Sequence, residues 1–229
     1  MGRPKLSFPL ILVNFKCYPE SIGRRGLRLA QEVERASRET GICLAVAPQY
    51  VDIRLVAEET GLPVFSQHID PVPADKYTGA VLPESVYEAG AVGTLINHSE
   101  RRLQLATIDD CIRRARQVGL MSLVCTNNPE VSQAAAALSP DMIAYEPPEL
   151  IGTGISVSKA RPEAVTDAIR LVRKITSALP VLCGAGVSTA EDVKVALRLG
   201  TGGVLLASGV VKAKDPYGLL LEMAQACAR

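Results

Sequence analysis

Three residues in this sequence combine side chains suited to acid-base chemistry with a similar local setting. Lys16, His98 and Glu146 each lie within three positions of the end of a short aliphatic run. Carboxylate and imidazole groups can move protons, and a lysine can bind an anion. In parallel α/β barrels, catalytic groups collect at the carboxyl ends of the strands. The placement therefore indicates a catalytic face.

The elements that would position these residues are eight apolar runs separated by longer amphipathic segments. The runs are apolar throughout, as in strands that are buried on both faces. We interpret as strands residues 10–13, 44–47, 64–67, 93–97, 121–125, 142–145, 181–183 and 203–206. This alternation predicts a parallel sheet, and eight repeats favour an α/β fold of the closed (β/α)8 TIM barrel type over an open doubly wound sheet.

Helical spacing of apolar residues fills the segments between the runs. The clearest helices are predicted at residues 24–39, at 107–118 with Thr107 as a cap, and at 162–178 with Pro162 in the first turn. A glycine follows several helical stretches and suits a left-handed C-terminal cap. These glycines are Gly41, Gly61, Gly90, Gly119 and Gly200.

Length and composition agree with one sizeable core. The chain has 229 residues, of which 48% are hydrophobic and 21% charged. No linker or low-complexity tract divides it, so we predict a single barrel domain over residues 1–229. The 25 basic and 24 acidic residues give a net charge of +1. The protein therefore has no overall electrostatic field that would attract nucleic acid or an anionic membrane. A small ligand is the expected partner.

The start of the chain and the cysteines bear on the cellular compartment. The first apolar stretch is broken by Pro9 and Asn14 and is too short for a secretory signal or a membrane span, so we expect a cytoplasmic protein. The cysteines show no C-x-x-C pairing, which favours structural thiols over a metal site and leaves disulfides as an alternative. They are Cys17, Cys43, Cys111, Cys125, Cys183 and Cys227. We expect no metal and no cofactor.

Three motifs in this order resemble the triosephosphate isomerase family, in particular its shorter archaeal-type form. They are Asn14 with Lys16, the run from His98 to Arg102, and residues 145–147 followed by 151–154. The resemblance extends from Val13 to Asp215. It implies an aldose-ketose isomerase of glycolysis and gluconeogenesis that interconverts dihydroxyacetone phosphate and D-glyceraldehyde 3-phosphate through an enediolate.

The resemblance also implies roles for the polar residues. Glu146 stands at the base position, where loss of water would raise its basicity. His98 stands at the electrophile position, where a neutral imidazole, favoured by a following helix N-terminus, would polarise the substrate carbonyl. Lys16 would bind the dianionic substrate and Asn14 would donate a hydrogen bond, both facing one way from the first strand.

Glu100 and His68 are of the same residue types as the base and the electrophile, but neither is expected to act on the substrate directly. Glu100 is expected to support Lys16 or His98, with surface pairing to Arg101 or Arg102 as the alternative. We interpret His68 as structural or interfacial.

The phosphate of the substrate is expected to be bound mainly by backbone N–H groups of glycine-rich loops after the late strands. Carried over from the family, the binding residues are Ile151, Gly152, Gly186, Ala207 and Ser208. Longer family members have Pro-Val-Trp after the base and Gly-Gly after the eighth strand, whereas this chain has Pro147-Pro-Glu149 and Ala207-Ser208.

Two other functions are consistent with parts of the sequence. Other phosphate-binding barrel enzymes share the late glycine loops, but not the pairing of Asn14 and Lys16 with the His98 run. From a different class, a non-catalytic barrel that binds a phosphate ligand would be marked by loss of the base, and Glu146 is present.

The resemblance further implies a homo-oligomer. In the family, the loop after the third strand, here residues 67–80 with Thr78 and Gly79 at its tip, reaches a neighbouring subunit near the first-strand lysine. Shorter archaeal-type members pair dimers into tetramers, so we expect a tetramer, with a dimer as the alternative.

Overall fold

The computed structural model describes residues 4–151 and 154–228, and within them eight strands alternate with ten α-helices. The strands are β1 Leu10–Asn14, β2 Cys43–Ala47, β3 Phe65–Ser66, β4 Gly93–Ile96, β5 Met121–Thr126, β6 Met142–Tyr145, β7 Val181–Gly184 and β8 Gly203–Leu206. The helices are α1 Arg24–Thr40, α2 Ile53–Glu59, α3 Pro83–Glu88, α4 Leu105–Val118, α5 Pro129–Ala137, α6 Val157–Ala160, α7 Pro162–Arg173, α8 Ala190–Arg198, α9 Ser208–Val211 and α10 Pro216–Cys227. None of these helices is long and apolar enough to cross a membrane.

All strand pairs are parallel, and they form one sheet in the order β2, β1, β8, β7, β6, β5, β4, β3. A parallel bridge between Val46 and Val64 joins the two ends of this sheet. The strands therefore close into a barrel, which confirms the predicted (β/α)8 fold.

Alternate residues of each strand enter two separate cores. In β1, Leu10 and Leu12 pack inside the barrel, while Ile11 and Val13 pack against the surrounding helices. Both sets are fully buried. Because neither face of a strand meets water, each run is apolar throughout, and the sequence pattern follows from the architecture. Asn14 continues the inward series of Leu10 and Leu12 at the carboxyl end of β1.

Most predicted elements differ from the structure by at most one residue, and three differ by two or more residues in total. β3 covers two residues rather than 64–67, because Val64 makes a single bridge. α4 begins at Leu105 rather than Thr107, so Thr107 lies inside the first turn. α7 ends at Arg173 rather than at position 178. The chain continues in turns there because the residues that follow include β-branched ones, which are weaker helix formers.

Four of the five glycines predicted to end helices have a left-handed backbone: Gly41, Gly90, Gly119 and Gly200. The prediction for Gly61 was wrong, because Thr60 ends α2 in an extended conformation and the Gly61 N–H donates to Glu34 Oε1 at 2.6 Å. All six cysteines are free thiols, and Cys111, Cys125 and Cys183 are buried, which agrees with the structural interpretation.

Candidate active site

A cleft opens at the carboxyl ends of the strands. Eight of the predicted site residues line it, namely Asn14, Lys16, His98, Glu146, Ile151, Gly186, Ala207 and Ser208. The ninth, Gly152, lies outside the residues that the structure describes. The barrel thus brings together side chains from strands that are far apart in the sequence.

The backbone at Lys16 is left-handed, with φ +46°, so Lys16 lies beyond β1 and not on it as expected. Its N–H donates to Asn14 Oδ1 at 3.0 Å. Its C=O accepts from the side-chain amides of Gln49 at 2.6 Å and Gln67 at 3.0 Å. These three hydrogen bonds stabilise a backbone conformation that a lysine rarely adopts. They also orient Asn14, since its oxygen is engaged and its amide nitrogen is the donor that remains.

The Lys16 ammonium pairs with Glu100, with Nζ 2.9 Å from Oε1. The Lys16 side chain is 11% exposed and that of Glu100 is 60% exposed. The other oxygen of Glu100 lies 3.5 Å from His98 Nδ1. Glu100 therefore contacts both residues that it was expected to support, and Arg101 pairs with Asp70 instead.

His98 reaches the cleft through an unusual backbone turn at the preceding residue. Asn97 has φ +62°, a conformation that asparagine tolerates better than most residues. The Asn97 side chain accepts from the Leu103 N–H at 2.8 Å and donates to the Cys125 C=O at 2.9 Å. This anchored turn breaks the strand alternation after β4, and the His98 side chain is buried at the cleft.

A backbone hydrogen bond sets the tautomer of His98. The Glu100 N–H donates to His98 Nδ1 at 3.2 Å, so in the neutral ring the proton is on Nε2. This contact replaces the expected one with a helix N-terminus, since α4 begins only at Leu105. Nε2 is directed towards Glu146, at 3.8 Å from Oε2.

Glu146 follows β6 directly, and its backbone N–H donates to the Thr126 C=O at 2.8 Å. The side chain is buried, and Oε2 has no hydrogen-bond partner among the described residues. Burial raises the pKa of Glu146 above its usual value, and His98, the Cys125 thiol and Lys16 oppose that rise. A carboxylate with a raised pKa and a free oxygen is suited to accept a proton.

The loop after β7 carries the predicted residue Gly186. Ala185 and Gly186 both have a left-handed backbone, at φ +69° and +71°. A Cβ atom on Gly186 would overlap the C=O of Ile155, so only glycine lets the two loops approach this closely. The Val157 N–H donates to the Ala185 C=O at 3.2 Å and joins the loops further.

The loop after β8 contributes Ala207 and Ser208. α9 is one short turn that starts at Ser208, and the first N–H groups of a helix have no partner within it. Ser208 and Gly209 both line the cleft together with Gly186. The two late loops therefore face one another across a space suited to an anion.

Ion pairs hold both flanks of the segment after Glu146. Glu149 pairs with Arg161 at 2.7 Å, before and after the segment. Lys159 pairs with Asp192 at 2.7 Å, and Asp192 also accepts from the Ser188 and Thr189 N–H groups. The second flank is thereby tied to α8, and the two flanks are tied to each other.

Four residues that touch the predicted groups were not predicted from the sequence: Gln49, Gln67, Cys125 and Gly184. Gln49 comes two residues after a predicted strand and Gln67 is the last residue of one, and those positions were the one signal available. Cys125 ends a strand as one more apolar residue, and Gly184 looked like part of a tight turn. His68, interpreted as structural or interfacial, is buried with Nε2 3.0 Å from Asp70 Oδ1.

Comparison with known proteins places this chain in a family. The family described as triosephosphate isomerase matches residues 9–227. The triosephosphate isomerase of Methanocaldococcus jannaschii is 55% identical over 214 residues, covering 93% of this chain and 98% of the relative. That of Methanobacterium bryantii is 53% identical over 215 residues, covering 94% and 95%.

The fold also matches a solved structure. The crystal structure of triosephosphate isomerase from Bartonella henselae superposes with a TM-score of 0.79 at 17% identity, covering 97% of this chain and all of that one. At that identity the likeness concerns the fold alone. The family match and the two archaeal relatives show that this chain belongs to the triosephosphate isomerase family.

Proposed function

We propose that this chain interconverts dihydroxyacetone phosphate and D-glyceraldehyde 3-phosphate through an enediolate, with Glu146 as the base and His98 as the electrophile. The observation that carries the proposal is the separation of 3.8 Å between His98 Nε2 and Glu146 Oε2 in a cleft that Lys16 also lines. Groups at this separation can act on adjacent carbon and oxygen atoms of a three-carbon substrate.

In the forward direction, Glu146 removes a proton from C1 of dihydroxyacetone phosphate. The electron pair forms a C1–C2 double bond, and negative charge moves to O2. The Nε2–H of His98 and the ammonium of Lys16 stabilise that charge. Transfer of a proton from O1 to O2 by way of His98, and return of the Glu146 proton to C2, give the aldehyde. The net change is one proton from C1 to C2 and one from O1 to O2.

The phosphate end of the substrate is bound between the two late loops. Gly186 on one side and Ser208 on the other would present backbone N–H groups, with Ala207 and Ile151 at the edges of the space. Gly152 would contribute from residues 149–153, which form a lid over the phosphate in the family. Asn14 would donate its amide hydrogen bond to the substrate from the end of β1.

Replacing Glu146 with Gln tests the proposal, because the change keeps the shape and removes the base. Turnover should fall by about two to four orders of magnitude, the usual range for loss of a general base. Competitive binding of inorganic phosphate should survive. Glu222→Gln, which removes an exposed carboxylate on α10, is the matched control and should leave turnover unchanged.

Near-normal turnover of purified Glu146→Gln protein would contradict the assignment of the base. An inactive wild-type protein that still binds inorganic phosphate would instead support a non-catalytic phosphate-binding barrel.

We further propose that the barrel is the single domain of the chain and that it assembles into a homotetramer built from dimers. In support, residues 73–79 are all exposed, and the neck of their loop is closed by hydrogen bonds between Asp70 and Val81 at 2.9 and 2.7 Å. Tyr77, in this projecting loop, is 48% exposed. Light scattering should show four subunits for the wild type and fewer than four for Tyr77→Glu.

We also propose a cytoplasmic location, since glycolysis supplies this substrate and the six free thiols suit a reducing compartment. Fractionation of cells that make the native protein would test it.

A further inference from the structure

A lysine and an aromatic ring outside the predicted set meet beside the cleft. Lys212 Nζ lies 4.3 Å from the centroid of the Tyr18 ring. Tyr18 belongs to the loop after β1 that also carries Lys16, and Lys212 directly follows α9. The contact therefore joins the lysine loop to the loop that carries Ser208.

The Tyr18 side of this contact is held in place. The Tyr18 C=O accepts from both the N–H and the hydroxyl of Ser21, each at 3.0 Å. Ser21 is fully buried, and its hydroxyl also donates to the Phe15 C=O at 2.8 Å. Tyr18 lines the cleft together with Ser208. The ring is thus part of the wall of the cleft next to the proposed phosphate site.

The Lys212 side is fixed at its backbone and exposed at its side chain. The Lys212 N–H donates to the Ser208 C=O at 3.1 Å, which places the two residues one turn apart. A lysine in water usually samples many rotamers, whereas a cation over the face of a tyrosine is attracted by the negative charge of the ring face. The Tyr18 ring therefore favours rotamers that hold the Lys212 ammonium over a ring that itself lines the cleft.

The charge balance of the site gives this ammonium a function. The substrate phosphate carries close to two negative charges. Lys16 supplies one positive charge, and Glu100 lies 2.9 Å from it. The partner of Lys212 is an uncharged ring, so that contact leaves its charge available to the phosphate.

We propose that Lys212, held over the Tyr18 ring, is a substrate-binding residue that acts as a second cation for the substrate phosphate and joins the Ser208 loop to the Lys16 loop. Lys212 acts on substrate binding and not on the proton transfers. The inference rests on the proposed function, because it assumes that the phosphate is bound beside Ser208.

Lys212→Met removes the charge and keeps much of the aliphatic side chain. The KM for D-glyceraldehyde 3-phosphate and the inhibition constant of inorganic phosphate should both rise about threefold to tenfold, as expected for one exposed charge near a dianion. The kcat should stay within about twofold, because uniform binding is lost. The KM difference should shrink as salt is added. Catalysis with D-glyceraldehyde, which lacks the phosphate, should not change.

Three other variants separate this role from a structural one. Lys214→Met removes an exposed lysine two positions away and should behave as the wild type. Lys212→Arg keeps a cation that stacks on an aromatic ring and should restore the KM. Tyr18→Leu keeps the lysine but removes the ring, and should raise the KM less than Lys212→Met does.

If the wild type is active and Lys212→Met has an unchanged KM and unchanged phosphate inhibition, the proposed function stands and the inference about Lys212 is wrong. An equal loss of activity towards D-glyceraldehyde would also overturn it, because it would indicate general distortion. If the wild type itself fails to isomerise the substrate, the proposed function fails first, and the two outcomes are thereby distinguished.

Discussion

The carboxylate of Glu146 lies in the space that a side chain on Gly184 would need. A Cβ atom on Gly184 would overlap Cγ of Glu146 and stand 2.7 Å from its Oε1 and 2.8 Å from its Cδ. Gly184 ends β7, the neighbour of the strand that Glu146 follows. The missing side chain on one strand therefore determines where the proposed base on the next strand can lie.

Gly184→Ala should move the carboxylate while the barrel still folds, because the clash is with a side chain that can rotate and not with the backbone. We expect turnover to fall by about 10²-fold, the usual effect of displacing a catalytic group by an ångström. Thermal unfolding should change little. Steady-state kinetics and a melting curve on the same preparation would measure both.

Gly202→Ala is the matched control for this prediction. There a Cβ atom would stand 3.3 Å from side-chain atoms of Phe8 and Pro180, just before β8 at the opposite end of the barrel. Its turnover should stay near that of the wild type. Equal turnover for the two variants would show that Gly184 does not set the position of the base.

The pH dependence of kcat/KM should reflect the burial of Glu146. Because burial raises its pKa, the acid limb should lie above the pKa of about 4.3 that is usual for glutamate, and activity should be lost as the pH falls through that limb. The profile must be corrected for the substrate phosphate, which titrates near pH ~6. Lys16→Met should move the limb to still higher pH, since Lys16 lowers the pKa of Glu146. A limb at the ordinary glutamate value would exclude a desolvated base.

The same burial predicts that Glu146 reduces stability at neutral pH. Because the pKa of Glu146 is higher in the folded than in the unfolded state, the native state binds the Glu146 proton more tightly. The stabilisation that this proton gives is fully present below the unfolded pKa. That contribution is lost as the pH rises through the folded pKa. Glu146→Gln should therefore melt at a higher temperature than the wild type at about pH 8, and the difference should vanish near pH ~4. Glu222→Gln should show no such pattern.

The substitutions Lys16→Met and His98→Gln should give different kinetic signatures. Lys16 acts on the bound substrate and on the enediolate alike, so its loss should raise the inhibition constant of inorganic phosphate and lower turnover. His98 acts on charge that develops during the reaction, so its loss should lower turnover and leave phosphate inhibition unchanged. An unchanged inhibition constant for Lys16→Met would mean that Lys16 is a surface lysine without a role in binding.

The sequence predicts the barrel well because its cause is local and repeated. Each strand has to bury both faces, so each strand appears as an uninterrupted apolar run, and two of the eight runs have the observed bounds. β3 was the weakest prediction, since Gln67 leaves the sheet there to bond with the Lys16 and Ala47 carbonyls. A polar side chain with a non-local partner carries no periodic signal.

The site was predictable only in part. The residue types after β1, β4 and β6 identify the groups that meet in the cleft. The contacts that orient them are non-local, such as the amides of Gln49 and Gln67 on Lys16 and the space that Gly184 leaves for Glu146. The left-handed backbone at Lys16 depends on such contacts, and that at Asn97 on its side-chain bonds to Leu103 and Cys125, so neither follows from residue type alone.

The segment after Glu146 is proposed to act as a lid over the phosphate. Pro147 and Pro148 stiffen its first flank, and Gly154, with φ +74°, has backbone freedom at the second. The ion pair between Glu149 and Arg161 joins the two flanks. A lid that excludes water and restrains the phosphate should suppress elimination of phosphate from the enediolate.

Deleting residues 150–153 should therefore lower isomerisation and raise the fraction of substrate released as methylglyoxal and inorganic phosphate. Glu149→Gln keeps the length of the segment and removes only its ion pair with Arg161, so its product ratio should lie between those of the wild type and the deletion variant. The measurement is the ratio of isomer to inorganic phosphate at matched substrate consumption. Fast isomerisation without extra phosphate in the deletion variant would show that residues 150–153 form an ordinary surface loop, because an enediolate that is stable without the segment needs no lid.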